Sequence, residues 1–426
     1  FLVRDLDSGR VVADRNANRP FIPASVTKLV TGVAALEALG GDHRFVTRVV
    51  SDSRVTDGTV QGDVFLMGGS NPLLRSRDLM TLCQRLAHKG ITGATGRLVV
   101  DDSGGLRRRA IARKQPPDVA YNPALSPLSI NFNRVRLVHR LGASGEAAVT
   151  YSVPPLPGIA LSAGERTATA ARGDWQPDVK RDRVVWRLKP DVAESGEAWV
   201  PLKRPARAAG SLFRRLCATA GVALPEAEAG NAPPRARDLA RHESRRLSAI
   251  VAAMFEYSNN LVAESLGGAT SQKLTGENLS LAQSAAAINQ WWRQELPDVA
   301  WQGFATRNHS GLTAAGRATP AQIAAILAYA ADRAYATRAG KQTGIRGLLP
   351  MAGDPGAFGD RLQSPSSALR VWGKTGTMHY ASGFAGYIRS ASGRNLAFSI
   401  FITDRERRER YDALPEPDKG ASAATQ

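Results

Sequence analysis

Apolar and polar positions divide the chain into a helix near its start, a strand-rich middle, and a second helical stretch followed by strands. Residues 1–6 and 10–13 flank the turn-forming run Asp7-Ser8-Gly9, which predicts a hairpin. A helix is predicted to begin at Ser25 and to end at Gly40-Gly41. Its apolar residues recur at helical spacing and predict a mostly buried helix: Leu29, Val30, Val33, Leu36 and Leu39.

The middle of the chain, residues 44–200, alternates short apolar runs with Gly, Pro and Asp, which predicts strands. The clearest of these strands are 45–50, 64–67 and 97–101, and one helix, Ser76–His88, interrupts the series. Helical periodicity returns at 208–221 and dominates 247–331, and strands are predicted at 371–376, 384–388 and 396–402. No internal repeat is visible. The pattern therefore predicts mixed helix and strand at both ends and a strand-rich insertion between them.

Composition agrees with a folded protein of two or three domains, because 43% of the 426 residues are hydrophobic and 22% are charged. The longest apolar runs, 29–39 and 396–402, are shorter than the roughly 18 residues of a membrane-spanning helix. We therefore expect no transmembrane segment. The first residues do not form the charged and apolar regions of a secretion signal, so a signal would have been removed or would lie outside this sequence.

The chain is strongly basic, with a net charge of +18 from 56 basic and 38 acidic residues. Its arginine clusters are not interleaved with aromatic residues in a nucleic-acid motif, so we expect no nucleic-acid partner. Most of the arginine clusters are interpreted as scattered, solvated surface charge. The alternative is that they attract the protein to an anionic wall or membrane surface, as a peripheral association. The two cysteines, Cys83 and Cys217, could be bonded or free.

Three short motifs carry the candidate chemistry. Ser25 and Lys28 are three residues apart at a predicted helix start, so both lie on one helix face and the amine could activate the hydroxyl. Ser258-Asn259-Asn260 offers an S-x-N motif, and Lys374-Thr375-Gly376-Thr377 offers K-T-G followed by Thr. In this chain order, S-x-x-K, S-x-N and K-T-G are typical of serine β-lactamases and penicillin-binding proteins.

Each motif taken alone has a simpler interpretation. Ser129-Ile130-Asn131 also fits S-x-N, and only the chain order favours Ser258. The run around Lys374 ends like a phosphate-binding loop, but Ala368 stands where that loop needs glycine. His309 and His379 lack metal-ligand spacing and are interpreted as surface or packing residues. We therefore expect no metal and no organic cofactor.

Over nearly its whole length the sequence resembles one family. This is the class C low-molecular-mass penicillin-binding proteins, D-alanyl-D-alanine carboxypeptidase/endopeptidases of the penicillin-binding-protein 4 type. The long separation of Ser25 from Ser258 fits the extra domains that this family inserts there. Further segments extend the resemblance: 68–73, 99–103, 121–123, 128–133, 310–312 and 349–353.

The resemblance implies an α/β (α+β) fold of the serine β-lactamase/DD-peptidase type, with strand-rich domains inserted between the first and second motifs. The implied peptidase domain is discontinuous, comprising 1–45 and 240–426. An inserted α+β domain would comprise 46–105 and 165–239, and a smaller β-rich domain 106–164. Because the family acts on the cell wall, a periplasmic location is implied.

The resemblance also assigns roles to residues. Ser25 would be the acylated nucleophile and Lys28 the group that accepts its proton. Ser258 would relay a proton to the departing D-alanine amine, and Asn260 would hold Lys28 and the substrate amide. Lys374, on an edge strand, would attract the terminal carboxylate of the substrate.

Substrate binding is assigned to the residues after Lys374. The hydroxyls of Thr375 and Thr377 would assist the lysine, and Gly376 would let the substrate backbone lie close to the strand. The N–H groups of Ser25 and Thr377 would form an oxyanion hole. Met378 and Tyr121 could line a pocket for the stem-peptide side chain.

One departure from the family concerns the run Ser310-Gly311-Leu312. In relatives that bind diaminopimelate side chains, an arginine commonly follows after one residue, whereas here Ala314 stands there and Arg317 is the nearest arginine. The side-chain specificity of the substrate pocket therefore stays open.

Three functional hypotheses follow. The first is a serine DD-peptidase that cleaves D-Ala-D-Ala termini or D-alanyl crosslinks of peptidoglycan and is acylated by β-lactams. A serine β-lactamase would need a dedicated means of activating water, and no class-A-type Glu-x-x-Leu-Asn run follows Ser258. The third is a non-catalytic cell-wall-binding protein on the same fold.

Overall fold

The computed structural model describes residues 1–116, 118–143, 147–156, 159–163, 175–179, 184–189, 194–337, 341–355, 358–359 and 361–414. The chain divides into two compact units. The terminal unit comprises Phe1–Arg44 and Arg245–Gln426, and the inserted unit comprises Phe45–Ser244. The three-part division of the sequence stays a prediction, and its boundary at 164/165 lies outside the described residues.

The strands of the described residues are numbered in chain order. They are β1 (Leu2–Asp5), β2 (Val11–Asp14), β3 (Val46–Ser51), β4 (Val55–Thr56), β5 (Thr59–Val60), β6 (Val64–Met67), β7 (Gly93–Ala94), β8 (Leu98–Asp101), β9 (Arg134–Leu141), β10 (Ala147–Val153), β11 (Ile159–Ala163), β12 (Trp175–Val179), β13 (Val184–Leu188), β14 (Gly196–Pro201), β15 (Ala227–Ala229), β16 (Arg237–Glu243), β17 (Ala334–Ala336), β18 (Gln342–Gly344), β19 (Val371–Met378), β20 (Ala381–Arg389) and β21 (Asn395–Thr403).

The α-helices are α1 (Thr27–Leu39), α2 (Ser76–His88), α3 (Pro205–Thr219), α4 (Leu247–Tyr257), α5 (Asn260–Thr275), α6 (Leu281–Glu295), α7 (Pro320–Ala331) and α8 (Arg405–Ala413). Short 3₁₀ turns occur at Ala24–Val26, Asn131–Asn133 and Ile345–Leu348.

The terminal unit contains a five-stranded antiparallel sheet in the order β19-β20-β21-β1-β2. The predicted hairpin at the start of the chain is confirmed, with Leu2 opposite Asp14. On its other side β1 pairs with β21, so that Leu2 lies opposite Ser399. The first strand is thus held by one of the last, and β19, which carries the K-T-G motif, forms an edge of the sheet.

The start of the predicted helix at Ser25 needs a small correction. Ser25 lies in the 3₁₀ turn Ala24–Val26, and the α-helix begins two residues later, at Thr27. The tighter turn still leads directly into α1, whose residues from Thr27 through Leu36 are buried. The predicted end is confirmed, because Gly40 follows the helix with φ +85°, a conformation that glycine adopts readily.

The predicted helical stretch 247–331 consists of four helices with an irregular segment between α6 and α7. The junction between α4 and α5 carries the S-x-N motif. Ser258 ends α4 in the left-handed conformation, with φ +51°, and the side chain of Asn259 caps α5 by accepting from the Val262 N–H at 3.1 Å. The S-x-N motif therefore lies where α4 ends and α5 begins.

The inserted unit contains a mixed five-stranded sheet in the order β15-β8-β6-β3-β16 and three smaller sheets. Helix α2 has the predicted bounds, and its Cys83 forms a disulfide with Cys217 of α3, which resolves the alternative left open by the sequence. The predicted strand-rich character does not extend throughout the unit. Residues 102–116 and 118–130 contain no strand and are joined by an isolated bridge between Arg108 and Leu125.

The described part of the chain contains no helix with the length and apolar character that crossing a membrane requires.

Candidate active site

The amine of Lys28 lies at the centre of the site. Lys28 is the second residue of α1 and is fully buried. Its Nζ lies 2.9 Å from the Oγ of Ser25, 2.8 Å from the Oδ1 of Asn260 and 2.8 Å from the carbonyl oxygen of Ser310. The first two motifs of the sequence therefore meet at a single nitrogen atom, although Asn260 is far from Lys28 along the chain.

The surroundings of Lys28 favour the uncharged amine. Burial holds the pKa of Lys28 well below its ordinary value, and the positive charge of Lys374 acts in the same direction. The carboxylate of Glu264 opposes both effects. A buried, uncharged lysine next to a hydroxyl is able to accept a proton from it.

The segment His309–Ser310 supplies the third contact of Lys28. Residues 310–312 are among the segments that extend the family resemblance, but the sequence does not predict a contact between this segment and Lys28. Glu264 of α5 is also fully buried, and its two carboxylate oxygens accept from the N–H groups of His309 and Ser310, each at 3.0 Å. One sequence signal could have identified Glu264, because an acidic residue within the apolar run 261–266 is unusual in a buried helix. The Ser310 carbonyl is a backbone group that every residue has, so the amino-acid sequence does not mark it as functional.

Lys374 lies on β19 and is only 3% exposed. Its Nζ donates to the carbonyl oxygen of Thr375 at 2.8 Å. Burial lowers the pKa of Lys374 to about 8, so this side chain is positively charged below that pH.

Strand β19 presents backbone groups at its free edge. The Val371 carbonyl accepts from the N–H of Ala352 at 2.8 Å, and the Gly373 N–H donates to the Pro350 carbonyl at 3.1 Å, so both residues point away from β20. Backbone direction alternates along a strand, and the peptide groups of residues 375 and 377 therefore face the same free edge.

Gly376 lies directly against the turn that carries the nucleophile. A Cβ atom on Gly376 would come within 2.8 Å of the Pro23 carbonyl oxygen, 2.8 Å of the Ser25 nitrogen and 2.9 Å of the Val26 nitrogen. These are backbone atoms that cannot move aside easily. Glycine at this position therefore permits the contact between the third motif and the first.

For three further predicted residues, Ser258, Met378 and Tyr121, the structure gives a position and an exposure but no hydrogen bond to Ser25 or Lys28. Ser258 is half-buried at the end of α4, two residues before Asn260. Met378 is the half-buried last residue of β19. Tyr121 belongs to the inserted unit, is 45% exposed, and its hydroxyl lies 3.1 Å from the Oε1 of Gln115. The proposed pocket roles of Met378 and Tyr121 therefore stay predictions.

A cavity of about 380 Å³ borders β19. Three residues of the K-T-G-T motif line it: Thr375, Gly376 and Thr377. Its other walls are mostly apolar and come from β20, β21 and the segment before β19: Phe358, Arg361, Leu362, Ser382, Gly383, Phe384, Ile400 and Ile402. Arg317, the first arginine after the Ser310-Gly311-Leu312 run, donates to the carbonyls of Ala314 and Gly316.

The other candidates of the sequence lie elsewhere or act in packing. Ser129 belongs to the inserted unit, where its hydroxyl donates to the Ser126 carbonyl at 2.7 Å. His309 is buried, as a packing residue would be, and the ring of His379 stacks on Tyr411 with centroids 4.4 Å apart. Among the described residues, no group of three or more His, Cys, Asp or Glu side chains is placed to hold a metal ion.

Known proteins resemble this chain in sequence and in fold. It is 29% identical to the D-alanyl-D-alanine carboxypeptidase of Actinomadura sp. (strain R39), over 94% of this chain and 76% of that protein. Penicillin-binding protein 4 of Haemophilus influenzae has a TM-score of 0.79 at 21% identity, covering 94% of this chain and 89% of that one. That protein has also been solved in complex with a β-lactam.

A second solved structure is Bd3459, a predatory peptidoglycan endopeptidase from Bdellovibrio bacteriovorus, with a TM-score of 0.53 and 14% identity over 96% of this chain and 87% of that one. The predicted fold class and the resemblance to the penicillin-binding-protein 4 type are thereby confirmed, and with them the class of serine-type carboxypeptidase. Residues 1–417 match the model of the D-Ala-D-Ala carboxypeptidase 3 (S13) family, and the chain belongs to that family.

Proposed function

We propose that this protein hydrolyses D-Ala-D-Ala termini or D-alanyl crosslinks of peptidoglycan through an acyl-enzyme on Ser25. The observation that carries this proposal is the set of three oxygens around the Lys28 nitrogen. The amide oxygen of Asn260 and the carbonyl oxygen of Ser310 can only accept hydrogen bonds, whereas the Ser25 hydroxyl can also donate. An uncharged Lys28 amine therefore gives its two hydrogens to Asn260 and Ser310 and turns its lone pair to Ser25.

Acylation follows from this arrangement. Lys28 takes the hydroxyl proton as the Ser25 oxygen attacks the D-alanyl carbonyl carbon, and a tetrahedral intermediate forms. The backbone N–H groups of Ser25 and Thr377 would stabilise the negative oxygen, because residue 377 faces the free edge of β19 and Gly376 lies against Ser25. When the carbon–nitrogen bond breaks, the departing amine receives the proton that Lys28 took up, and the Ser258 hydroxyl is assigned as the relay between them, so that Lys28 becomes uncharged again.

Hydrolysis completes the cycle. Lys28 takes a proton from water as the water oxygen attacks the ester carbonyl, and returns it to the Ser25 oxygen as the ester bond breaks. The acid product loses its own proton to solvent and leaves as a carboxylate. Terminal D-alanine or a second stem peptide can be the leaving amine, since both present a D-alanyl carbonyl to the same serine. A β-lactam ring offers an equivalent carbonyl, which accounts for acylation by these antibiotics. Its amine stays attached to the acyl group after ring opening.

Lys374 is assigned to the terminal carboxylate of the substrate, and this role predicts a pH dependence. Its ammonium group is charged below a pKa of about 8 and neutral above it, so kcat/KM should fall as the pH rises through about 8. Steady-state kinetics on a D-Ala-D-Ala peptide between pH 6 and 10 would measure this decline. The variant Lys374→Gln lacks the positive charge at every pH, so its KM for this peptide should be about tenfold to a hundredfold higher.

The control for this prediction is a substrate that ends in an amide instead of a carboxylate. Its kcat/KM should show no decline that depends on Lys374. An equal decline for both substrates would contradict the assignment.

The proposed function is tested with purified protein on three substrates. Release of D-alanine from a peptide ending in D-Ala-D-Ala, or of uncrosslinked muropeptides from sacculi, together with a long-lived adduct of a fluorescent penicillin, is the expected outcome. Rapid turnover of the penicillin without peptide cleavage would identify a β-lactamase. No adduct and no cleavage would leave the non-catalytic wall-binding protein.

The location that fits this function is the periplasm, where the substrate lies. The disulfide between Cys83 and Cys217 supports an oxidising compartment. The net charge of +18 supports peripheral attraction to an anionic wall or membrane surface. Fractionation of cells that express the protein from its native gene, followed by a salt wash of the membrane and wall fractions, would test both proposals.

A further inference from the structure

Glu264 is a buried carboxylate to which the mechanism above gives no role. It lies on α5, four residues after Asn260, so the two side chains fall on the same face of the helix. Its Oε2 accepts from the His309 N–H and its Oε1 accepts from the Ser310 N–H, each at 3.0 Å. A carboxylate that receives two backbone N–H groups holds that backbone in one orientation.

The opposite side of the same dipeptide is bound to α1. The His309 carbonyl accepts from the Thr31 hydroxyl at 2.8 Å, and the Ser310 carbonyl accepts from the Lys28 amine at 2.8 Å. Thr31 and Lys28 are three residues apart and share a helix face. The dipeptide therefore lies between α5 and α1, with its N–H groups on Glu264 and its carbonyls on α1.

The ring of His309 fixes the dipeptide further. Its Nε2 lies 2.8 Å from the Ser284 hydroxyl, which lies 2.7 Å from that of Ser271. A Cβ on Gly267 would come within 2.0 Å of the ring, so glycine permits this close packing. Burial lowers the pKa of His309 to about 3, and the ring stays uncharged at neutral pH.

We propose, on the basis of the proposed function, that Glu264 is a positioning residue for the Lys28–Ser25 pair. By holding the backbone of His309 and Ser310, it fixes the Ser310 carbonyl oxygen at the place where it takes one hydrogen of the Lys28 amine. Asn260 takes the other hydrogen, and the lone pair is left to face the Ser25 hydroxyl. Without Glu264 the carbonyl can turn, and the lone pair loses its fixed direction.

Charge supports the same role. The ionisable groups around the amine are Glu264 on α5, Lys374 on β19 and the neutral His309. Burial raises the pKa of Glu264, whereas the hydrogen bonds from Ser310 and His309 lower it and so favour the carboxylate. In its ionised form Glu264 balances a charged Lys374 when Lys28 is uncharged. Glu264 also raises the pKa of Lys28, which keeps the amine more basic than burial alone would leave it.

The test is Glu264→Gln, which keeps one acceptor oxygen but places an amide nitrogen opposite the second N–H group. We expect kcat for D-alanine release and the rate of penicillin acylation to fall together by about a hundredfold, with little change in KM. Because Lys28 acts only when deprotonated, kcat/KM rises with pH through its pKa. Loss of the Glu264 charge lowers that pKa, so the rise should move to lower pH.

Two further variants make the result decisive. Glu277→Gln removes an exposed carboxylate just after α5 and should leave rate and pH profile unchanged. Glu264→Asp keeps the charge but draws the carboxylate back, so kcat should fall while the pH profile stays near that of the wild type. If Glu264→Gln does not fold, Glu264→Asp alone tests the proposal, since an unchanged kcat in that variant would overturn it.

A purely structural role for Glu264 gives a different result. In that case the loss of activity would follow the loss of folded protein measured by thermal unfolding, and the pH profile of the folded fraction would not move. Failure of the proposed function is recognised separately, because wild-type protein would then neither release D-alanine nor form a penicillin adduct.

Discussion

Replacing Ser25 by alanine should lower D-alanine release by at least about a thousandfold and abolish the penicillin adduct. The hydroxyl oxygen is the atom that forms the ester, and no other described hydroxyl is hydrogen-bonded to the Lys28 amine. The side chain is only half-buried, so its loss should leave the fold intact. Intact-protein mass spectrometry after incubation with penicillin measures the adduct directly.

Ser392→Ala provides the matched control, because Ser392 is exposed in the turn between β20 and β21. It should form the adduct at the wild-type rate. A full adduct on Ser25→Ala would show that the acylated residue lies elsewhere and would remove the basis of the proposed mechanism.

Replacing Lys28 by methionine should slow acylation by about a hundredfold to ten-thousandfold. Methionine keeps much of the buried volume of lysine but offers no amine to take the Ser25 proton. Lys28→Arg should be similarly slow, because arginine keeps the positive charge and cannot be deprotonated in this pH range. Stopped-flow measurement of acylation by a chromogenic β-lactam gives the rate constant for each variant.

The two variants separate proton transfer from charge. If Lys28 acted only through a positive charge, Lys28→Arg would retain most of the rate, and this outcome would contradict its assignment as the base. Lys273→Met, at an exposed position near the end of α5, controls for the loss of a lysine and should acylate normally.

Much of the site could be predicted from the sequence because its side chains follow local rules. The spacing of Ser25 and Lys28 stacks them on one side of a helical turn. The chain order of the three motifs selects Ser258 and Lys374. The bounds of α2 were also predictable, since its apolar positions recur at helical spacing.

Other features depend on contacts between distant segments. The place of β1 beside β21 is set by pairing across nearly the whole chain, which no local pattern encodes. Ala24, at the start of the 3₁₀ turn that carries Ser25, has φ +45°, an uncommon conformation for a residue with a side chain that the sequence does not signal. The Ser310 carbonyl is a backbone group, and only the fold brings it to Lys28.

The terminal unit is made from both ends of the chain, and this has a consequence for biosynthesis. A ribosome delivers Ser25 and Lys28 well before Asn260, and Asn260 well before the strand with Lys374. Until β19 and β21 emerge, the turn that carries Ser25 has no sheet against which to pack. Lys374, which is assigned to the substrate carboxylate, is also still missing. A nascent chain is therefore expected to stay unreactive until all three motifs and the sheet that supports them have been synthesised.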